Sequence, residues 1–168
     1  MSLPFFILIS IILNMNNNDI LRSLRYTFDF SDSKMIALFK LAGVEVSRAE
    51  ISDWLKSEED EAFKPIYDKD LAAFLNGFII DKRGKKDGEP APTEKSLNNN
   101  IVLRKLKIAL NLQDDDILSI LKLKGIEISK HELSAFFRNP SQGKYMACKD
   151  QFLRNFLMGL QVKYRIEV

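Results

Sequence analysis

Residues 16–28 read NNNDILRSLRYTF, and residues 98–110 read NNNIVLRKLKIAL. This near-repetition, 82 positions apart, decides the fold. Sliding the chain by 82 aligns 16–83 with 98–165 without a gap and gives 20 identities in 68 positions. Chance alone gives roughly one in twenty, so the chain holds a duplicated unit. Many of the remaining pairs are conservative, among them Val44 with Ile126, Val46 with Ile128, Trp54 with Phe136, and Arg48 with Lys130. Comparing the two copies shows which positions both halves need.

Each copy is predicted to form four helices. The Asn triplets supply N-cap residues, whose side-chain oxygens accept bonds from orphan amides. In the first helix Ile20, Leu21, Leu24 and Phe28 share a face, as do Val102, Leu103, Leu106 and Leu110 in its mate. The second helix begins near Asp32 or Asp114 and stops at Gly43 or Gly125, where the left-handed conformation is easiest for glycine. Val44-Glu45-Val46 and Ile126-Glu127-Ile128 alternate as short extended connections. Ser47-Arg48-Ala49-Glu50 and Ser129-Lys130-His131-Glu132 fit the capping box that opens the third helix. That helix is expected to bury Ile51, Trp54 and Leu55, or Leu133, Phe136 and Phe137. The fourth helix carries Leu71, Phe74, Leu75 and Phe78, or Leu153, Phe156, Leu157 and Leu160. Gly77 and Gly159 fall inside it, at about 1 kcal/mol against Ala, which predicts a neighbouring helix passing close at both places.

The resulting organisation is an all-α protein of two tandem four-helix repeats, packed as a pseudo-twofold pair. Residues 15–83 form the first repeat, 84–97 (GKKDGEPAPTEKSL) a polar linker, 98–165 the second repeat and 166–168 a tail. One 68-residue copy alone buries only about 60% of its unfolded surface, so the halves are expected to share an interface. Residues 1–14 are expected to be an apolar extension to this body, with Met15 where a natural start would fall. The run Leu3–Leu13 is too short to span a bilayer, which takes roughly 20 apolar residues, and lacks the basic start of a signal peptide. It is expected to pack against a repeat groove or a second copy of the chain.

The doubled NNN-x-x-L-R phrase carries a family resemblance. So do Gly43-Val44-Glu45-Val46-Ser47 and Gly125-Ile126-Glu127-Ile128-Ser129, and Phe74-Leu75-Asn76-Gly77 with Phe156-Leu157-Met158-Gly159. Together they resemble the YehS-like family of bacterial proteins, whose tandem repeat is domain of unknown function 1456. The resemblance covers about residues 15–165. It implies a bacterial cytoplasmic protein of two tandem units, and it carries no catalytic residue or cofactor across.

Composition agrees with a globular chain: 46% hydrophobic, 29% charged, net charge +2. Cys148 is the single cysteine, which fits a reducing cytoplasm and reads as a small apolar residue. His131 is the single histidine, and its repeat mate is Ala49. There is no Gly-rich phosphate loop, CxxC, HExxH or GxSxG. Asp114-Asp115-Asp116 opens a helix and complements its dipole, so no metal or other cofactor is expected from it.

Charge is distributed unevenly. Residues 16–83 hold 10 basic and 13 acidic side chains, a net −3, whereas 98–165 hold 12 and 6, a net +6. These observations predict a non-catalytic interaction or regulatory module with a protein partner or a second copy of itself. The alternative is a nucleic-acid binder using the basic second repeat, whose second and third helices have a helix-turn-helix-like cadence. Its candidate contacts are Arg104 and Lys107 on the first helix, with Lys130, His131, Ser134 and Arg138 on the outer face of the third. A remoter alternative is an enzyme with a site in the inter-repeat groove.

Overall fold

The computed structural model describes residues 14–88 and 92–165. Most of the apolar extension (1–13), three linker residues (89–91) and the tail (166–168) lie outside the described residues. Among those described there are eight α-helices and no strand. The first repeat contributes α1 (Asn17–Phe28), α2 (Asp32–Leu41), α3 (Arg48–Leu55) and α4 (Asp68–Arg83). The second contributes α5 (Asn99–Ala109), α6 (Asp114–Lys122), α7 (Lys130–Ala135) and α8 (Asp150–Tyr164).

The Asn triplets do more than cap, which corrects the expectation from sequence. Only the first Asn of each caps a helix: Asn16 accepts from the Asp19 amide at 2.8 Å, and Asn98 from the Ile101 amide at 2.9 Å. The second reaches the start of the fourth helix. Asn17 Nδ2 donates to Asp68 at 2.7 Å and Asn99 Nδ2 to Asp150 at 2.7 Å. The third is buried and fully bonded. Asn18 donates to the carbonyls of Trp54 (2.8 Å) and Lys64 (2.9 Å) and accepts from the Ile66 amide (3.2 Å). Asn100 repeats the pattern with Phe136 (3.0 Å), Met146 (2.9 Å) and the Cys148 amide (2.8 Å). Successive helical side chains project about 100° apart, so three identical residues meet three different surroundings.

The turns follow the sequence closely. Gly43 and Gly125 take φ of 80° and 75°, in the left-handed region. Ser47 and Ser129 accept from the Glu50 and Glu132 amides, both at 3.1 Å, but only the Glu132 carboxylate accepts from the backbone amide of its cap, at 3.3 Å. Helix α7 ends at Ala135, earlier than expected. Phe136, half-buried Phe137 and Arg138 lie in the turn beyond it.

The repeats interlock. Helix α1 packs on α8 and α5 packs on α4, each more extensively than on the fourth helix of its own repeat. Within repeats, α2 lies against α4 and α6 against α8. The glycines permit those last two contacts. A Cβ on Gly77 would stand 1.7 Å from the Leu38 carbonyl oxygen, and one on Gly159 would stand 2.5 Å from that of Ile120. Leu38 and Ile120 are themselves repeat mates. A single apolar core runs through both halves, and Phe28 meets Tyr164 across them with ring centroids 5.4 Å apart.

The segments entering α1 and α5 are tied down alike. The Met15 amide donates to Asp150 at 3.2 Å, and the Leu97 amide to Asp68 at 2.8 Å. The linker adds a tie that the first repeat lacks. Lys105, 8% exposed, places its ammonium 2.8 Å from Glu94 and 2.5 Å from the Asn76 side-chain oxygen. Burial pushes the Glu94 carboxyl up, but Lys105, a backbone amide and Asn76 outweigh it, and the group sits below the ordinary carboxylate range. At the equivalent position Ser23 accepts from Gln161 at 3.4 Å. No described helix is long and apolar enough to cross a membrane.

Candidate functional site

The six residues singled out from the sequence divide into groups. Arg104 is exposed on α5 and donates to the Phe137 carbonyl at 3.2 Å. Half-buried Lys107 pairs with Asp114 at 3.0 Å and lies 4.4 Å from the centroid of the Phe137 ring. Arg138 stands three residues past the end of α7, not on its face, and donates to the Lys144 carbonyl and the Ser134 hydroxyl, both at 3.2 Å. Ser134 also donates to the His131 carbonyl at 2.7 Å. These contacts gather Arg104, Lys107, Ser134 and Arg138 about Phe137. Lys130 pairs instead with Asp115 at 3.1 Å, and His131 is exposed on α7.

Much of this patch therefore serves the fold. Arg22, the repeat mate of Arg104, makes a similar contact one position further along in the acidic copy, donating to the carbonyl of Lys56, the mate of Arg138, at 2.7 Å. An arginine kept in both copies thus bonds a backbone carbonyl just past the end of the third helix, whatever the surface charge. Lys107 and Lys130 are each neutralised by a carboxylate, which leaves Arg104 and Arg138 as the cations of the group with no acidic partner among the described residues.

The acidic triplet is likewise engaged: Asp114 with Lys107, Asp115 with Lys130, Asp116 with the Gln113 amide at 2.7 Å. Among the described residues no group of His, Cys, Asp and Glu is placed to hold a metal ion. Cys148 is buried in the core beside its Asn100 contact. Burial, then the charge of Asp150, pushes its thiol up to about 12, so a thiolate nucleophile is not available there at neutral pH.

A different feature emerges at the end of the molecule where α1, α4, α5 and α8 all terminate. A broad cleft of about 1020 Å³ opens there. Its walls include five pairs of repeat mates: Thr27 with Ala109, Phe28 with Leu110, Asp29 with Asn111, Lys82 with Tyr164, and Arg83 with Arg165. Walls made of 82-residue mates place the cleft on the pseudo-twofold axis. Tyr26 completes the rim, with the Arg165 guanidinium 3.7 Å from its ring centroid. Burial, then the charge of Asp116, raises the Tyr164 phenol, so it remains a hydrogen-bond donor in the neutral range. Sequence reasoning placed an inter-repeat groove but none of these residues. The available signal was Arg83 and Arg165, identical in both copies at the helix ends.

Fold and cleft together define an all-α tandem-repeat protein of two interlocked four-helix units. The chain belongs to the family described as "Protein of unknown function (DUF1456)", which matches residues 17–84 and 99–165. It is 42% identical over 154 residues to "Uncharacterized protein YehS" of Escherichia coli (strain K12), an alignment covering 91% of this chain and 99% of that protein. No solved structure matches it.

Proposed function

We propose that this chain is a non-catalytic binding module whose working surface is the axial cleft. The observation that carries this reading is the cleft's composition from both repeats. It is a concave surface to which each copy contributes the equivalent helix ends, and a single copy builds only half of it. The volume suits a small molecule or a peptide segment, and the lining mixes aromatic and charged groups as binding sites do. The mates are chemically unlike at Asp29 and Asn111 and at Lys82 and Tyr164, so an asymmetric ligand has one preferred orientation.

The second reading, nucleic acid on the basic repeat, is supported by the +6 charge of residues 98–165 and by Arg104 and Arg138. Two measurements separate the readings. In a thermal-shift screen against small-molecule mixtures and peptides, a ligand at 100 times its Kd stabilises by about 2.7 kcal/mol. On the cleft reading that shift is lost in Tyr26→Ala with Lys82→Ala and retained in Lys130→Ala with Arg138→Ala. Fluorescence anisotropy with duplex and single-stranded oligonucleotides at several salt concentrations tests the other. Each phosphate contact on duplex DNA adds about −0.9 to the log–log salt slope, so Arg104→Ala with Arg138→Ala should reduce its magnitude by about two contacts' worth. Salt-dependent binding lost in that variant moves the working surface to the second repeat.

A further inference from the structure

We infer that the axial cleft takes a planar or aromatic organic anion. This rests on the cleft being the working surface and adds the chemistry of what fills it. Three cationic side chains, Lys82, Arg83 and Arg165, line it against one carboxylate, Asp29, for a side-chain balance of 3 − 1 = +2. Among the described residues none of the three cations forms an ion pair, whereas Lys107 and Lys130 on the basic face both do.

The four helix ends oppose this charge, each with roughly half a negative charge. Distance decides between the two. The helix-end charge resides on backbone carbonyls and fades within the last turn, and several of those carbonyls accept amide bonds at the caps. The Lys and Arg charges sit at the tips of long side chains, and Lys82 and Arg83 are exposed. An incoming group meets them before it meets the carbonyls.

The aromatic component of the ligand follows from the walls. The Arg165 guanidinium lies 3.7 Å from the Tyr26 ring centroid and also donates to the Tyr26 carbonyl, which holds it at the rim, and a planar guanidinium is a group on which flat ligands stack. Phe28 and Tyr164 pack together, and both line the cleft. Thr27 lines it too, and its buried hydroxyl has no hydrogen-bond partner, whereas nearly all such groups in folded proteins are paired. A ligand with a flat apolar body and an acidic group answers the arginine at the rim, the aromatic wall and the excess charge together.

The test uses the full chain and two fluorescent probes, 8-anilinonaphthalene-1-sulfonate, an aromatic anion, and Nile red, which is neutral. The expected result is saturable binding of the sulfonate at one per chain, weakened by salt. It should weaken about tenfold in Lys82→Gln with Arg83→Gln, while Arg104→Gln with Arg138→Gln leaves it unchanged. Circular dichroism of each variant confirms that the helices remain. Sulfonate binding that is unchanged by the cleft pair, with Nile red bound equally well, overturns the anion class and leaves an apolar binding cleft. Loss of binding in the Arg104 and Arg138 pair instead overturns the location. If neither probe binds, the cleft reading itself fails as well.

Discussion

Asn18 and Asn100 do the work that a strand or helix would do for the long connection between the third and fourth helices. That connection lacks regular structure, and buried backbone groups must still be bonded. With one side chain each Asn bonds a carbonyl at the end of the third helix together with a carbonyl and an amide of the connection, and only Gln, on a longer arm, carries the same donors and acceptor. Asn100→Leu keeps the size and strands the carbonyls of Phe136 and Met146 and the amide of Cys148. An orphaned buried group costs about 1–3 kcal/mol, so the variant should lose at least about 3 kcal/mol in urea unfolding. Asn100→Asp should lose more, since it turns a carboxylate toward two carbonyls. A loss under about 1 kcal/mol for Asn100→Leu would mean that solvent reaches the connection and that the Asn is not its support.

At the scale of elements, the contact of α2 with α4 and of α6 with α8 depends on a missing side chain. Gly77→Ala and Gly159→Ala each gain about 1 kcal/mol of helix propensity. Against that stands a methyl group driven into a backbone carbonyl, which cannot rotate away as a side-chain tip can. Overpacking of this kind costs about 1–3 kcal/mol, and at 1.7 Å Gly77 has less room than Gly159 at 2.5 Å. Both variants should melt lower, Gly77→Ala the lower of the two, at about 2–4 °C per kcal/mol for a chain of this size. A raised midpoint in either would show that the helices can separate freely. These close contacts were legible in the sequence because a costly glycine recurs at the same position in both copies. The serine boxes and the Gly43 and Gly125 turns were legible for the same reason, each being a local rule with a fixed spacing. The surfaces were not. Charge counting marked Lys107 and Lys130 as available, but two members of the acidic triplet, Asp114 and Asp115, which the sequence placed only at a helix start, neutralise them. The cleft was invisible because Tyr26, Lys82 and Arg165 converge only once four helix ends meet.

At the scale of the whole molecule, periodicity reveals an apolar face without revealing which helix covers it. Here α1 is covered mainly by α8 of the other repeat, and α5 by α4. A single repeat therefore leaves both faces bare, and a second identical copy offers the surface each needs. Whether such a pair forms depends on what meets across it. In two copies of residues 14–84, position 23 faces position 76, placing Ser23 against Asn76, a compatible polar pair. In two copies of residues 98–165, Lys105 faces Met158 and Gln161, neither of which supplies a counter-charge. In the intact chain Lys105 relies on Asn76 from the first repeat and Glu94 from the linker, both absent from that fragment. Burying an unpaired ammonium is costly enough to block packing or to discharge the group. The first repeat alone should accordingly form a folded dimer whose true twofold axis reproduces the pseudo-twofold of the intact chain. The second repeat alone should be monomeric and poorly folded, and Lys105→Ser should recover its dimer. Light scattering for mass and circular dichroism for helix content check both halves. A stably folded monomer of residues 14–84 would show that each repeat closes its own core, and that the exchange of helix contacts between repeats is incidental to stability.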